Sequence, residues 1–203
     1  MAPVAAAFSI ISVLFITDLI FDDMAIATTI IYVFSYACVI RWVLINKLYI
    51  KQSFLNYFSK LVLSKVKIFG FFISFCVFLY FLNINVKFNS WDEFTHWGTV
   101  IKYVSIKSTL YDINSPIAAK DYPPGTALFA YFMLFIPGYS EGRAIFSFSI
   151  LTVMLILPLV GVAFRLTRYY WLFIAMALFG FVSKFGNGWS TVLIDHYVSM
   201  TFA

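Results

Sequence analysis

Five long apolar stretches constrain this chain more than any other feature of its sequence. They lie at about 4–21, 24–45, 66–84, 144–164 and 170–186. Each is close to the ~20 residues that a helix needs to cross the hydrocarbon core of a bilayer. Hydrophobic residues make up 63% of the chain and charged residues only 11%, which is outside the range of soluble globular domains. The sequence therefore predicts an all-α integral membrane protein, a multi-span bundle of about five spanning helices.

The basic residues predict the orientation of this bundle. The region from the end of the second stretch to the start of the third contains no acid, and it carries Arg41, Lys47, Lys51, Lys60, Lys65 and Lys67. Such segments stay in the cytoplasm, so we expect a cytoplasmic N-terminus and an extracytoplasmic loop after Leu82. We expect the bacterial inner (cytoplasmic) membrane, with a functional site on its outer face. The net charge of +5 then reports orientation, and no nucleic-acid partner is expected.

A further apolar stretch, about 126–137, is too short to span a bilayer. If it did span, Arg165 and Arg168 would lie outside the cell. If it lies along the outer interface, both arginines are cytoplasmic, as the positive-inside rule requires. We therefore expect a juxtamembrane helix here.

Three parts follow from this topology. Residues 1–45 form an N-terminal transmembrane hairpin, and 46–65 form a basic cytoplasmic segment. Residues 66–203 form a membrane module that contains the outer loop 83–125. The chain stops at Ala203, inside another apolar stretch, so we expect the module to be incomplete.

The outer loop contains a predicted amphipathic helix. Ser90 and Glu93 match the capping box S-x-x-E that begins many helices. Apolar residues then recur at helical spacing, namely Trp91, Phe94, Trp97, Ile101 and Val104. The opposite side carries Asp92, Thr95, His96, Thr99 and Lys102. This pattern predicts a helix that lies on the membrane with its tryptophans at the level of the headgroups.

Two interpretations of Asp92 remain open. It can stabilise the start of the helix, because a carboxylate there is favoured by the helix dipole. The capping box does not require it, however, so it can equally serve as a general base or a metal ligand. The second role leaves a divalent cation open as a cofactor. Glu93 and His96 also match the E-x-x-H half-site of di-iron proteins, but that site needs two copies, and the sequence has no second one.

The loop closes on Pro123-Pro124-Gly125, which predicts a rigid entry into the next helix. Arg143 follows a Gly-rich turn and is expected at the outer end of the fourth apolar stretch. There it can extend to lipid headgroups, pair with Glu141 or bind a substrate.

The order of these features resembles the N-terminal half of the GT-C glycosyltransferases, over roughly residues 66–203. An Asp-Glu pair after an outward helix is followed by Tyr-Pro-Pro-Gly and a short apolar segment. Next come Gly-x-x-Glu-x-Arg, a spanning helix and an outer-face Asp. The nearest likeness is glycosyltransferase family 39 and its relatives, including the aminoarabinose lipid A transferase and the protein mannosyltransferases. The hairpin 1–45 has no counterpart that we can assign.

The resemblance implies roles for particular residues. Asp92 falls at the family's catalytic acidic position, and Glu93 completes the family's Asp-Glu pair. Arg143 matches the arginine after the Gly turn, and Asp195 matches the second outer-face aspartate. These two are expected to bind substrate.

Other substrate-binding candidates share the outer face. Tyr122 stands where many family members carry a lysine that meets the donor phosphate, and Lys120 lies two residues earlier. His96, Lys102 and Lys184 are the remaining polar candidates on the same side.

The resemblance implies an inverting glycosyltransferase. It would move a sugar from a polyprenyl-phosphate donor to an envelope glycan, lipid or protein acceptor on the outer face. Its partners would be this donor, membrane lipids and a further membrane protein that supplies missing helices. The alternative is a non-enzymatic membrane component of an envelope polysaccharide pathway, such as a lipid-carrier flippase or an assembly subunit. A transporter should carry ionisable residues near the middle of its spans, and none occurs there.

Overall fold

All regular secondary structure in the described part of the chain is helical. The computed structural model describes residues 2–53, 60–118, 120 and 124–166, and no β-strand occurs among them. In chain order these residues form α1 (Ala2–Phe21), α2 (Ala25–Ser53), α3 (Lys60–Asn83), α4 (Gly98–Lys107), α5 (Gly125–Leu134) and α6 (Glu141–Leu166). A π-helical turn, Glu93–Trp97, runs directly into α4. The prediction of an all-α fold is confirmed for these residues.

Four of the five predicted long stretches correspond to α1, α2, α3 and α6, and the fifth, 170–186, lies outside the described residues. Two segments among the described residues are long and apolar enough to cross a bilayer, Val4–Phe21 and Ala25–Ile45, with mean hydropathies of 2.3 and 1.7. Both are compatible with membrane insertion, although a signal sequence near an N-terminus has the same length and composition. Only 17% of the first and 6% of the second is buried by other parts of the protein.

The short helix α5 lies at the centre of the hydrophobic core. It packs against α1, α4 and α6, and Leu128, Phe129, Ala130 and Tyr131 are buried in succession. Four consecutive buried residues face every side of a helix, because successive residues are 100° apart. The short non-spanning helix is therefore present as predicted, but its faces are covered by protein rather than by an interface on one side.

The N-terminal hairpin shares this core. Ala7 and Leu14 of α1 are buried in the same cluster as residues of α5 and α6. In α2, the Tyr32 hydroxyl donates to the Phe132 carbonyl at 2.7 Å, and the two rings stack with centroids 4.7 Å apart. The described part of the hairpin and the helices after it thus pack as one body.

The turn between α1 and α2 is joined to the segment that follows α4. Asp18 is buried, and its carboxylate accepts the Leu110 backbone N–H at 3.0 Å. The Met24 N–H donates to the Ser108 carbonyl at 2.9 Å. Asp18 lies near the end of the first predicted span, and this contact gives it a structural role.

Helices α3 and α6 approach closely at one end. The Asn83 side-chain amide donates to the Ser149 hydroxyl at 3.0 Å inside the core. A β-carbon on Gly142 would overlap the Asn83 carbonyl and lie 2.7 Å from the Ile84 carbonyl carbon. The absence of a side chain at 142 therefore lets the start of α6 contact the backbone at the end of α3.

Candidate functional site

The turn before the π-helical segment is built around the Glu93 side chain. Its carboxylate accepts the N–H groups of Asn89 at 2.8 Å and Ser90 at 2.9 Å. In return the Glu93 N–H donates to the Ser90 hydroxyl at 3.3 Å. The predicted capping box is confirmed by these reciprocal bonds. Glu93 is only 3% exposed, so it serves as a buried acceptor that fixes the turn.

Asp92 is adjacent in sequence but differs in its surroundings. Its side chain is exposed and forms no capping hydrogen bond. The capping bonds at this helix start are formed by Ser90 and Glu93, and the Asp92 carboxylate takes no part in them. Glu93 therefore has a structural role, whereas the Asp92 side chain is exposed to solvent.

The apolar stripe that the sequence predicts is divided between two faces. Trp91 and Phe94 are 77% and 56% exposed, whereas Ile101 and Val104 are buried against α5. The π-helical turn Glu93–Trp97 is the cause. It holds one residue more per turn than the α-helical period assumes, so residues before and after it rotate out of register. The single amphipathic face expected over this region is corrected to two.

Gly98 makes the π-helical turn possible. Its N–H donates to the Glu93 carbonyl, five residues earlier, which is the bond that defines a π turn. A β-carbon on Gly98 would overlap that carbonyl and lie 2.8 Å from Cδ2 of the Phe88 ring. The Phe88 ring therefore packs directly against Gly98 and leaves no space for a side chain at this position.

Glu141 connects α6 to the same turn. Its carboxylate accepts the Phe88 N–H at 2.9 Å, one residue before the N–H groups that Glu93 binds. Two carboxylates from distant parts of the chain thus hold three consecutive backbone donors, those of 88–90. Sequence reasoning assigned Glu141 only a pairing with Arg143, and the backbone of an irregular turn is a partner that side-chain patterns do not reveal.

Arg143 binds the end of the central helix. Its guanidinium donates to the Pro137 carbonyl and, at 3.3 Å, to the Gly138 carbonyl. Gly138 has φ +78° and its N–H donates to the Leu134 carbonyl at 2.8 Å, a left-handed ending typical of helix C-termini. A cation there also complements the helix dipole of α5.

The other predicted site residues are placed as follows. His96 lies half-buried in the π-helical turn, and the Lys120 ammonium donates to the Ile113 carbonyl. Lys102 is exposed on α4. Tyr122, Lys184 and Asp195 lie outside the described residues. The structure brings Glu93 and Glu141 to one turn, and the substrate-binding roles expected of Arg143 and Asp195 stay predictions. Among the described residues no group of three or more His, Cys, Asp or Glu side chains could hold a metal ion.

An open cleft of about 560 Å³ runs along α4 beside the 112–116 turn. Its lining includes Lys102, Tyr103, Ile106, Lys107, Asp112 and Ser115. The Asp112 carboxylate accepts the Ser115 hydroxyl at 2.7 Å and the Asn114 N–H at 3.0 Å. The hydrogen bond from Ser115 holds the pKa of Asp112 below its usual value of 3.8. Sequence reasoning missed this cleft, because only the D-x-N-S turn at 112–115 signals it, and such turns are common.

Comparisons with known proteins return no match: no family, no curated protein sequence and no solved structure is similar to this chain.

Proposed function

We propose that this chain is part of a membrane-bound glycosyltransferase, a multi-span helical bundle of GT-C type that uses a polyprenyl-phosphate-linked sugar. The proposal rests on one observation: the two acids of the Asp-Glu pair differ in their hydrogen bonds and in their exposure. Glu93 accepts two backbone N–H groups at the helix start, and the Ser90 hydroxyl accepts a third. Asp92 is thereby left exposed at the start of the helix, without a capping bond. An exposed carboxylate on a fixed turn is suited to act as a general base.

The membrane part of the proposal is supported by α1 and α2. Their apolar surfaces are largely uncovered by the described part of the protein. Large apolar side chains stand exposed along α2, among them Ile30, Phe34, Ile40 and Trp42. Exposed apolar surface of this extent is destabilising in water and neutral in hydrocarbon.

The reaction needs one base and one site for a leaving phosphate. Asp92 would take the proton of the acceptor hydroxyl while that oxygen attacks the anomeric carbon of the donor sugar. The bond from this carbon to the phosphate oxygen breaks, and polyprenyl phosphate leaves with the electron pair, so that the anomeric configuration inverts. Cations stabilise the developing charge. Arg143 and Lys120 would have to exchange their carbonyl contacts for phosphate oxygens to do so.

The experiment compares envelope glycolipids and polymers in cells that lack the gene and carry wild-type or variant copies. We expect Asp92→Asn to lose the product, because the amide keeps the shape but not the basicity, a difference of about 10²–10⁴ in rate. Asp22→Asn is the matched control, since Asp22 is also exposed and its φ of 51° suits asparagine.

A correctly inserted Asp92→Asn protein that restores the wild-type product would sink the proposal. That result would favour the non-enzymatic role in a polysaccharide pathway, in which Asp92 has no chemistry to perform.

A further inference from the structure

The cleft along α4 contains two cations that have no partner in the part of the chain that the structure describes. Lys102 and Lys107 both line it. Neither ammonium group has a hydrogen-bond or ion-pair partner within residues 2–53, 60–118, 120 and 124–166. The charged form of each lysine is favoured by an opposite charge nearby. The cleft therefore favours a ligand that carries negative charge.

Among the described residues that line the cleft, the one carboxylate already accepts hydrogen bonds from its own loop. Asp112 accepts the hydroxyl of Ser115 and the backbone N–H of Asn114, so its oxygens are turned into their own loop. The Tyr103 hydroxyl lies 3.1 Å from the Ser115 oxygen and adds a polar group to the wall. Phosphate oxygens are well matched to such a mixture of ammonium and hydroxyl donors.

Apolar side chains are exposed in the cleft and in the neighbouring segments of the chain. Ile106 lines it and is 64% exposed, and Ile113 in the adjoining turn is 84% exposed. Trp91 and Phe94 are exposed just before α4 on the chain. A ligand that suits both the lysines and these apolar side chains has a phosphate joined to hydrocarbon. The volume of the cleft, about 560 Å³, is within the range of small-ligand sites.

We propose that this cleft binds the phosphate of an anionic bilayer phospholipid, with the ammonium groups of Lys102 and Lys107 on the phosphate and the acyl region along Ile106 and Ile113. The cleft would hold the loop 108–116 at the membrane surface, where basic side chains and exposed aromatic residues both favour the headgroup region. This inference goes beyond the proposed sugar transfer and does not depend on it.

The test uses the full-length chain in neutral detergent, titrated with phosphatidylglycerol while native mass spectrometry counts the lipids bound. We expect one saturable site that diacylglycerol, which lacks the phosphate, does not fill. The variant Lys102→Gln/Lys107→Gln should weaken binding about tenfold or more, because each basic residue near an anionic lipid contributes appreciably. The variant Arg41→Gln/Lys87→Gln removes the same charge from exposed positions outside the cleft and should leave binding unchanged.

Asp112→Asn provides a readout that misfolding cannot imitate. It removes the negative charge from the cleft while an amide oxygen can still accept the loop hydrogen bonds, so phosphatidylglycerol should bind more tightly than to wild type. Equal weakening in both double variants would show attraction to net charge alone and overturn the proposal. Tight binding of diacylglycerol would overturn it in favour of apolar adsorption.

Two competitors distinguish the sources of the phosphate. Inorganic phosphate at the concentration of the lipid should not displace phosphatidylglycerol, and displacement would show that the hydrocarbon is irrelevant. Polyprenyl phosphate that displaces phosphatidylglycerol at equimolar concentration would assign the cleft to the transfer donor and overturn its assignment to a bilayer lipid.

Discussion

Two neighbouring acids, Asp92 and Glu93, have different tasks although the sequence presents them as a pair. Glu93 is buried and binds the N–H groups of Asn89 and Ser90. Asp92 is exposed and has no capping bond. The difference follows from the capping geometry, in which the side chain of the third helical residue reaches back to the backbone N–H of the cap residue before the helix. Substitution of Glu93 should therefore lower the stability of the protein, whereas substitution of Asp92 should lower its activity.

We expect Glu93→Ala to lower the free energy of unfolding by about 1–3 kcal/mol, because it leaves two backbone donors without their acceptor. Asp92→Ala is the matched control and should stay within about 0.5 kcal/mol, as most exposed substitutions do. Thermal and denaturant unfolding of the purified chain in detergent measures both. Equal losses for the two variants would mean that Asp92 also stabilises the turn.

Sequence reasoning identified the capping box because its signal is local. Ser90 and Glu93 are three residues apart, and no distant part of the chain is needed to form the bonds. It could not identify the partners of Glu141 and Arg143. Both bind backbone groups of irregular turns, and a backbone acceptor or donor has the same chemistry whatever the residue. Tertiary placement alone decides such contacts.

At the scale of elements, the sequence predicts which segments form helices better than it predicts how these helices pack. The four long apolar stretches within the described residues form helices, because length and composition suffice for that inference, although α2 continues to Ser53 and α3 begins at Lys60. The π-helical turn Glu93–Trp97 was not visible, since the additional residue it absorbs leaves the spacing of apolar residues plausible for an α-helix. Helix α5 was predicted as short and non-spanning, but hydropathy does not tell a helix covered by protein from one at an interface.

The contact between α3 and α6 gives a prediction at this scale. Gly142→Ala would place a methyl group on the carbonyls of Asn83 and Ile84, which are backbone atoms and cannot move independently of α3. We expect the unfolding free energy to fall by about 1–3 kcal/mol, the usual cost of overpacking. Unfolding of the purified protein measures the loss.

Gly125→Ala is the matched control for this substitution. Gly125 also lies at the start of a helix, and its added carbon would meet only Ile11 Cγ2 at 3.7 Å, an ordinary contact. We expect Gly125→Ala to be neutral or mildly stabilising, since alanine favours helix. If both variants melted alike, the approach of α6 to α3 would be looser than the structure indicates.

At the scale of the whole molecule, the charge distribution predicts an orientation that labelling can test. With Cys38 and Cys76 replaced by alanine, a single cysteine is introduced at Asn114 or at Lys47. We expect the cysteine at 114, which is exposed in the structure, to react with an impermeant reagent in intact cells. The cysteine at 47 should react only after the membrane is opened, because it lies in the basic segment. Protection at 114 in intact cells, with reaction at 47, would invert the topology.

The contact between Asp18 and Leu110 has a consequence for the order in which the chain is made. Ninety-two residues separate the two partners, so the first hairpin leaves the ribosome long before its partner segment exists. Until then the Asp18 carboxylate and the Met24 amide must be hydrated, and water has to reach the end of α1 that later lies buried. Closure by the 108–110 segment expels that water. The hairpin therefore reaches its final packing only after the chain has been synthesised beyond Leu110.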